Sequence, residues 1–128
     1  MQPTLNEGVY VFTSISPSAD VSSLAPVATF REVEGLTLIV EEQQCRKAGL
    51  PVLFRAAWIT LTVHSDLQAV GLTAAVATAL AQSGISCNVV AAAFHDHIFV
   101  PVESAKEALS VLQQLQKSSS QNTEPTVK

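Results

Sequence analysis

The sequence predicts an α+β fold built from two βαββα repeats, each an antiparallel sheet with its helices on one face. Three observations predict it. Short apolar runs with a period of two are interleaved with runs whose apolar residues recur at helical spacing. The same order of elements appears twice. In both copies an apolar strand runs straight into an acidic helix start, so that Leu36–Glu42 (LTLIVEE) lies over Ile98–Ser104 (IFVPVES).

In chain order, Val9–Thr13 reads as a strand after Gly8. Ser18–Leu24 is a short polar connection closed by Pro26, and Val27–Val33 is a second strand. Glu34-Gly35 is a tight-turn signal before the third strand, Leu36–Val40. Glu41–Ala48 is a short helix, stopped by Gly49 with Pro51 beyond it. The order then restarts. Trp58–His64 alternates, with Ile59, Leu61 and Val63 on one side and Thr60, Thr62 and His64 on the other. Leu72, Ala75, Val76, Ala79 and Leu80 form one helical face, ended at Gly84. Ile85–Ala92 is a strand, His95-Asp96 lies in a hairpin, and His97–Val102 returns. Ser104 and Glu107 have capping-box spacing and start a helix with Ala108, Leu109, Leu112 and Leu115 as its buried stripe.

These readings divide the chain into repeats at residues 1–56 and 57–116 and a polar tail at 117–128, expected to be disordered. The first repeat has a shortened first helix. The second lacks a fourth strand, which leaves its first strand as an exposed edge. Val52–Phe54 or a second subunit is expected to cover that edge.

Bulk composition narrows the function. Hydrophobic residues make up 48% of the 128, enough for a real core, and 14% charged residues argue against general disorder. The net charge is −4 and no Lys/Arg stripe exists, which weighs against nucleic-acid binding. No apolar run approaches the ~20 residues that span a bilayer. Met1–Glu7 is polar, without the pattern of a secretory signal, and Cys45 and Cys87 fit a reducing compartment. The expected setting is cytoplasmic, with no membrane or nucleic-acid partner.

The stretch Trp58–Leu115 resembles an ACT domain, the regulatory module of aspartate kinases and other enzymes of amino-acid metabolism. The strand WITLTVHS, the loop and helix start DLQAVGLT, the run ALAQSGISCNVV and the hairpin HDHIFVPVE carry the resemblance. Up to about residue 116 the chain is similar to stand-alone proteins that carry an ACT-like pair, and to the regulatory pair of aspartate kinases. The resemblance implies a ferredoxin-like fold, a non-catalytic module and no cofactor. It also implies side-by-side pairing, here a homodimer, and an amino-acid ligand near the loop between the first strand and helix. The regulated enzyme is not named by it. The loop HSDLQAVG departs from the family's D-x-P-G type by lacking proline, which leaves the ligand's identity open.

The residues this places at a ligand are Ser65, Asp66, the backbone of Val70, Gly71 and Leu72, and Asn88. Glycine admits close backbone approach, and amides at a helix start favour a carboxylate. Asp66 suits an ammonium, and Asn88 offers both a donor and an acceptor. The bland alternative is a helix-capping Asp66 and a strand-end Asn88. Rival chemistries are thinner. His95 and His97 point the same way on a strand, but zinc wants three or four ligands. Cys87 sits mid-strand, where a small apolar thiol is the default, and Ser65 has no nucleophile motif. The reading is therefore a regulatory, non-enzymatic binding module, with a structural protein that binds nothing small as the alternative.

Overall fold

The computed structural model describes residues 2–62 and 71–123, the last five by backbone alone. Val63, Ser65, Asp66 and Val70, on which some expectations fall, lie outside the described residues. The elements are β1 (Gln2–Leu5), β2 (Tyr10–Ile15), β3 (Ala28–Arg31), β4 (Leu36–Glu41), α1 (Glu42–Lys47), β5 (Phe54–Thr62), α2 (Gly71–Gln82), β6 (Asn88–Ala91), β7 (His95–Pro101) and α3 (Ala105–Thr123). They form two compact units, Glu7–Ala57 on the one hand and Met1–Asn6 with Trp58–Lys128 on the other, so the boundary falls inside β5.

In the Glu7–Ala57 unit, β2 pairs antiparallel with β4 from Tyr10↔Glu41 to Ile15↔Leu36. β3 lines the far side of β4, and the start of β5 lines the other side of β2, with Phe12 opposite Phe54. Val11, Leu36, Leu38 and Val40 alternate onto one face and close over Cys45 and Leu24. The helix layer is thin, as expected from the short connector. A single 3-10 turn, Ser22–Leu24, stands where a long first helix would run. Gly49, at positive φ, ends α1 while the Gly49 and Leu50 amides donate to the Arg46 and Cys45 carbonyls.

The second unit orders its strands β1-β5-β7-β6. Ile59 and Leu61 of β5 and Ile98 and Val100 of β7 are buried, as are Val76, Leu80, Ala108 and Leu112 of the two helices. These apolar stripes meet on one face of the sheet. Leu72 and Leu109, expected in the core, are only half-buried. The Gly84 and Ile85 amides donate back to the Ala81 and Leu80 carbonyls and stop α2.

Three expectations change. The open edge of β5 is covered by β1, paired from Gln2↔Thr62 to Leu5↔Ile59, and not by Val52–Phe54 or a second subunit. Phe54 instead begins β5 itself and pairs in the other unit. Pro3 is tolerated because β1 is an edge strand in this unit and needs no second ladder. The hairpin turn falls at residues 92–94, closed by the Ala92 amide on the His95 carbonyl, which puts His95 and Asp96 in β7. Finally, α3 runs to Thr123, well into the segment expected to be disordered. Lys117–Thr123 has no apolar period, but it extends a helix already docked at Ala108 and Leu112, and elongation is far easier than nucleation.

Candidate functional site

The second unit has a definite polarity that sorts the candidate residues. The Trp58 ring stacks on Phe99 with centroids 6.0 Å apart, and Thr60 Oγ1 lies 3.5 Å from His97 Nδ1. A step forward along β5 is therefore a step back along β7, and the two strands are antiparallel. That register sets Asp96 beside Leu61. β6 is antiparallel to β7, from Asn88↔Phe99 to Ala91↔Asp96, and so parallel to β5. The helix joining two parallel strands must run back between them. The Gly71 end of α2 thus shares an end of the sheet with Thr62, Ala91 and Asp96. Its Gln82 end shares the other with Asn88.

Gly71 and Leu72 stand together at the start of α2's described span, Gly71 exposed and Leu72 half-buried. Among the described residues, no heavy atom lies within 4 Å of a Cβ added at Gly71. Asn88 is not brought to them. It begins β6 at the far end of α2, a helix of 12 residues and so about 18 Å long. Paired with Phe99, it shares the sheet face of that ring and is exposed. Ser65, Asp66 and Val70 lie outside the described residues.

Two features were not singled out from the sequence. Asp96 is only 6% exposed and shares the helix-covered face with Ile98 and Val100. Its in-phase spacing from those two residues was the available signal. On the opposite face the Trp58 Nε1–H donates to His97 Nδ1 at 3.1 Å. Burial, reinforced by nearby His95, holds the His97 imidazole below its ordinary pKa, against an upward pull from Asp96. His95 and His97 have ring centroids 6.2 Å apart, but among the described residues no three His, Cys, Asp or Glu side chains gather as metal ligands would. Burial pushes the Cys87 thiol up, the reverse of what activates a nucleophile. No helix among the described residues is long and apolar enough to cross a membrane.

Comparison with known proteins agrees with this architecture. Family models described as ACT domain match residues 1–57 and again residues 54–114. A search of the curated proteins returns no match. Among solved structures, a Vibrio cholerae protein of unknown function, described as a possible transport protein, is 52% identical, with 88% of each chain covered and a TM-score of 0.81. The ligand-free regulatory subunit of aspartate kinase from Thermus thermophilus is similar in fold, at 14% identity, 88% and 94% coverage and a TM-score of 0.66. A protein from Agrobacterium tumefaciens is similar at 17% identity, 88% and 87% coverage and a TM-score of 0.68. With both of its repeats matched by ACT models and a relative more than half identical over most of its length, the chain belongs to the ACT-domain family.

Proposed function

We propose that this protein is a non-catalytic sensing module that binds an amino acid, or a similar small ligand, and acts on another protein through direct contact. The observation that carries the reading is the tandem ACT match, because ACT domains are regulatory and typically bind amino acids. The proposed ligand lies at the β5–α2 loop, at Ser65, Asp66 and the Val70, Gly71 and Leu72 backbone, with Asp66 as the partner of its ammonium and the amides of the helix start as the partners of its carboxylate. The absence of any heavy atom within 4 Å of a Cβ at Gly71, among the described residues, supports that placement. Asn88 was grouped with them from the sequence. At the far end of α2 it belongs to such a site only by contacting a ligand from another side.

The proposed assembly is a cytoplasmic homodimer. Its support is no longer an uncovered β5 edge, which β1 fills. It is the outer strands β3 and β6, each with a single strand neighbour among the described residues. A thermal-shift screen against the proteinogenic L-amino acids tests the function. A ligand at a hundredfold excess over its dissociation constant adds about 2.7 kcal/mol of stability. A melting temperature that no amino acid moves would instead favour a structural protein that binds nothing small.

A further inference from the structure

Strand β3 ends the sheet of the Glu7–Ala57 unit, with β4 as its one strand neighbour among the described residues. Hydrogen bonds alternate along an antiparallel ladder, so the hairpin fixes the phase of this edge. The Glu32 amide donates to the Gly35 carbonyl at 3.0 Å. Two residues back, Phe30↔Thr37 takes the same bonded phase, and then Ala28↔Ile39. Thr29 and Arg31 therefore turn their amides and carbonyls away from β4, along the outer edge. The Val27 amide donates to the Ile39 carbonyl at 2.7 Å, so Val27 and Ala28 share one partner residue, as in a bulge. The bulge ends the edge there and keeps it short. Phe30 shares a sheet face with Thr37, opposite the face on which Leu36 and Leu38 pack with Cys45, and it is 55% exposed. The other outer strand, β6, carries no exposed large apolar residue, and Phe94 lies in the turn beyond it.

We infer that β3 pairs antiparallel with β3 of a second copy, about a twofold axis at Phe30. The inference deepens the homodimer reading above and rests on it. In that register Thr29 of each copy faces Arg31 of the other, so the outward amides and carbonyls of both residues are all bonded. Phe30 forms the non-bonded pair with its own counterpart, their Cα atoms about 4.5 Å apart, the closest side-chain approach that a ladder offers. Val33, 96% exposed at the hairpin tip, comes alongside Val27 of the other copy. An axis at Arg31 would set two guanidinium groups against each other. An axis at Thr29 would place Arg31 opposite Val27, whose amide is already bonded to Ile39. The edge thus complements itself in one register, and that register covers its exposed ring.

Sedimentation of the full chain tests this with the parent, Thr29→Pro, Phe30→Lys and Phe30→Cys. Proline at position 29 removes an outward amide and none that bonds to β4. Lysine at position 30 sets two ammonium groups across the axis. The parent should be a dimer at micromolar concentration. Thr29→Pro should raise the dissociation constant roughly tenfold or more, as loss of a hydrogen bond on each side of the axis requires. Phe30→Lys should weaken the dimer as well, and both variants should still melt cooperatively. Oxidised Phe30→Cys should become a covalent dimer that a reductant separates, unlike the parent treated in the same way. Dimers as tight as the parent's in both Thr29→Pro and Phe30→Lys, or a Phe30→Cys protein that forms no cross-link, would overturn the inference and leave a homodimer through another surface. If the proline or lysine variant fails to melt cooperatively, the cross-link decides. A monomeric parent overturns the inference and the homodimer reading together.

Discussion

The indole N–H of Trp58 donates to Nδ1 of His97, 3.1 Å away, and this bond requires a neutral imidazole. A Trp N–H can only donate, so Nδ1 must carry the lone pair and Nε2 the proton. Protonating His97 turns Nδ1 into a donor and sets two donors against each other. Burial works in the same direction, holding the pKa below its ordinary 6.5, with His95 adding to it and Asp96 opposing it.

The pH dependence follows from that sign. A histidine whose folded pKa is lowered gives its full contribution above the unfolded value, where both states are neutral. As pH falls through about 6.5 the unfolded chain takes up a proton that the folded one resists, and stability is lost. The melting temperature should therefore drop between pH 7.5 and 5.5, and His97→Gln should flatten the drop. The chain has a single tryptophan, so its fluorescence should change over the same range in the parent and not in the variant.

Glu42 has the opposite sign. Arg55 grips its carboxylate through Nε at 2.6 Å and Arg46 through a guanidinium nitrogen at 3.0 Å, and the pKa falls to about 2 from 4.5. The contribution is present above pH 4.5 and disappears as pH falls through 2. Solvent screening of these exposed arginines keeps it to about 1 kcal/mol or less. Glu42→Gln should cost that much near neutrality and very little at the acid end, read by chemical denaturation at both pH values.

Strand β1 is fastened by Asn6. Its backbone amide donates to the Trp58 carbonyl at 2.9 Å, and its side-chain Nδ2 reaches the same carbonyl at 3.1 Å and Thr60 Oγ1 at 2.9 Å. Asn6→Ala removes only the side-chain bonds and should destabilise the protein by about 1–2 kcal/mol. Deleting residues 2–6 bares the β5 edge, and light scattering should then show concentration-dependent association.

The alternation of Ile59 and Leu61 was plain in the sequence, because both are buried while their neighbours Trp58 and Thr60 are only half-buried. The helix at Leu72–Leu80 and the capping-box start of the last helix were equally plain. Strand β1 was hidden, since a four-residue run with Pro3 in it has no strand signature and exists only because Trp58–Thr62 offers it a ladder. Asp96 misled through its residue type. Aspartate favours turns, yet here the turn sits two residues earlier on Ala93 and Phe94, and the acid keeps the buried phase of β7. Asn88 was grouped with the loop because neighbouring strands are close, but its place at the start of β6 sets it at the other end of α2. Motif resemblance thus named the family and the end of the sheet where a ligand is expected, while the buried acid required the register.

Ala25 offers a test of local strain. It is the only non-glycine residue with positive φ among those described, at 48°, and it caps the 3-10 turn just before Pro26. Ala25→Gly should stabilise the protein by roughly 0.5–1 kcal/mol, because relief of the left-handed strain there outweighs the added freedom of the unfolded chain. Equilibrium denaturation of the two proteins measures the difference.

Calorimetric titration of the parent, Asp66→Ala and Gly71→Val with the amino acid found by screening bears most directly on the sensing role. Among the described residues no atom lies within 4 Å of a Cβ at position 71, and cooperative melting of the valine variant separates obstructed ligand approach from a damaged fold. The account predicts saturable heat with the parent and none with either variant, while both variants still melt cooperatively. Equal binding by all three proteins would remove the ligand from the β5–α2 loop, and absence of heat with every amino acid tried on the parent would contradict the sensing role itself.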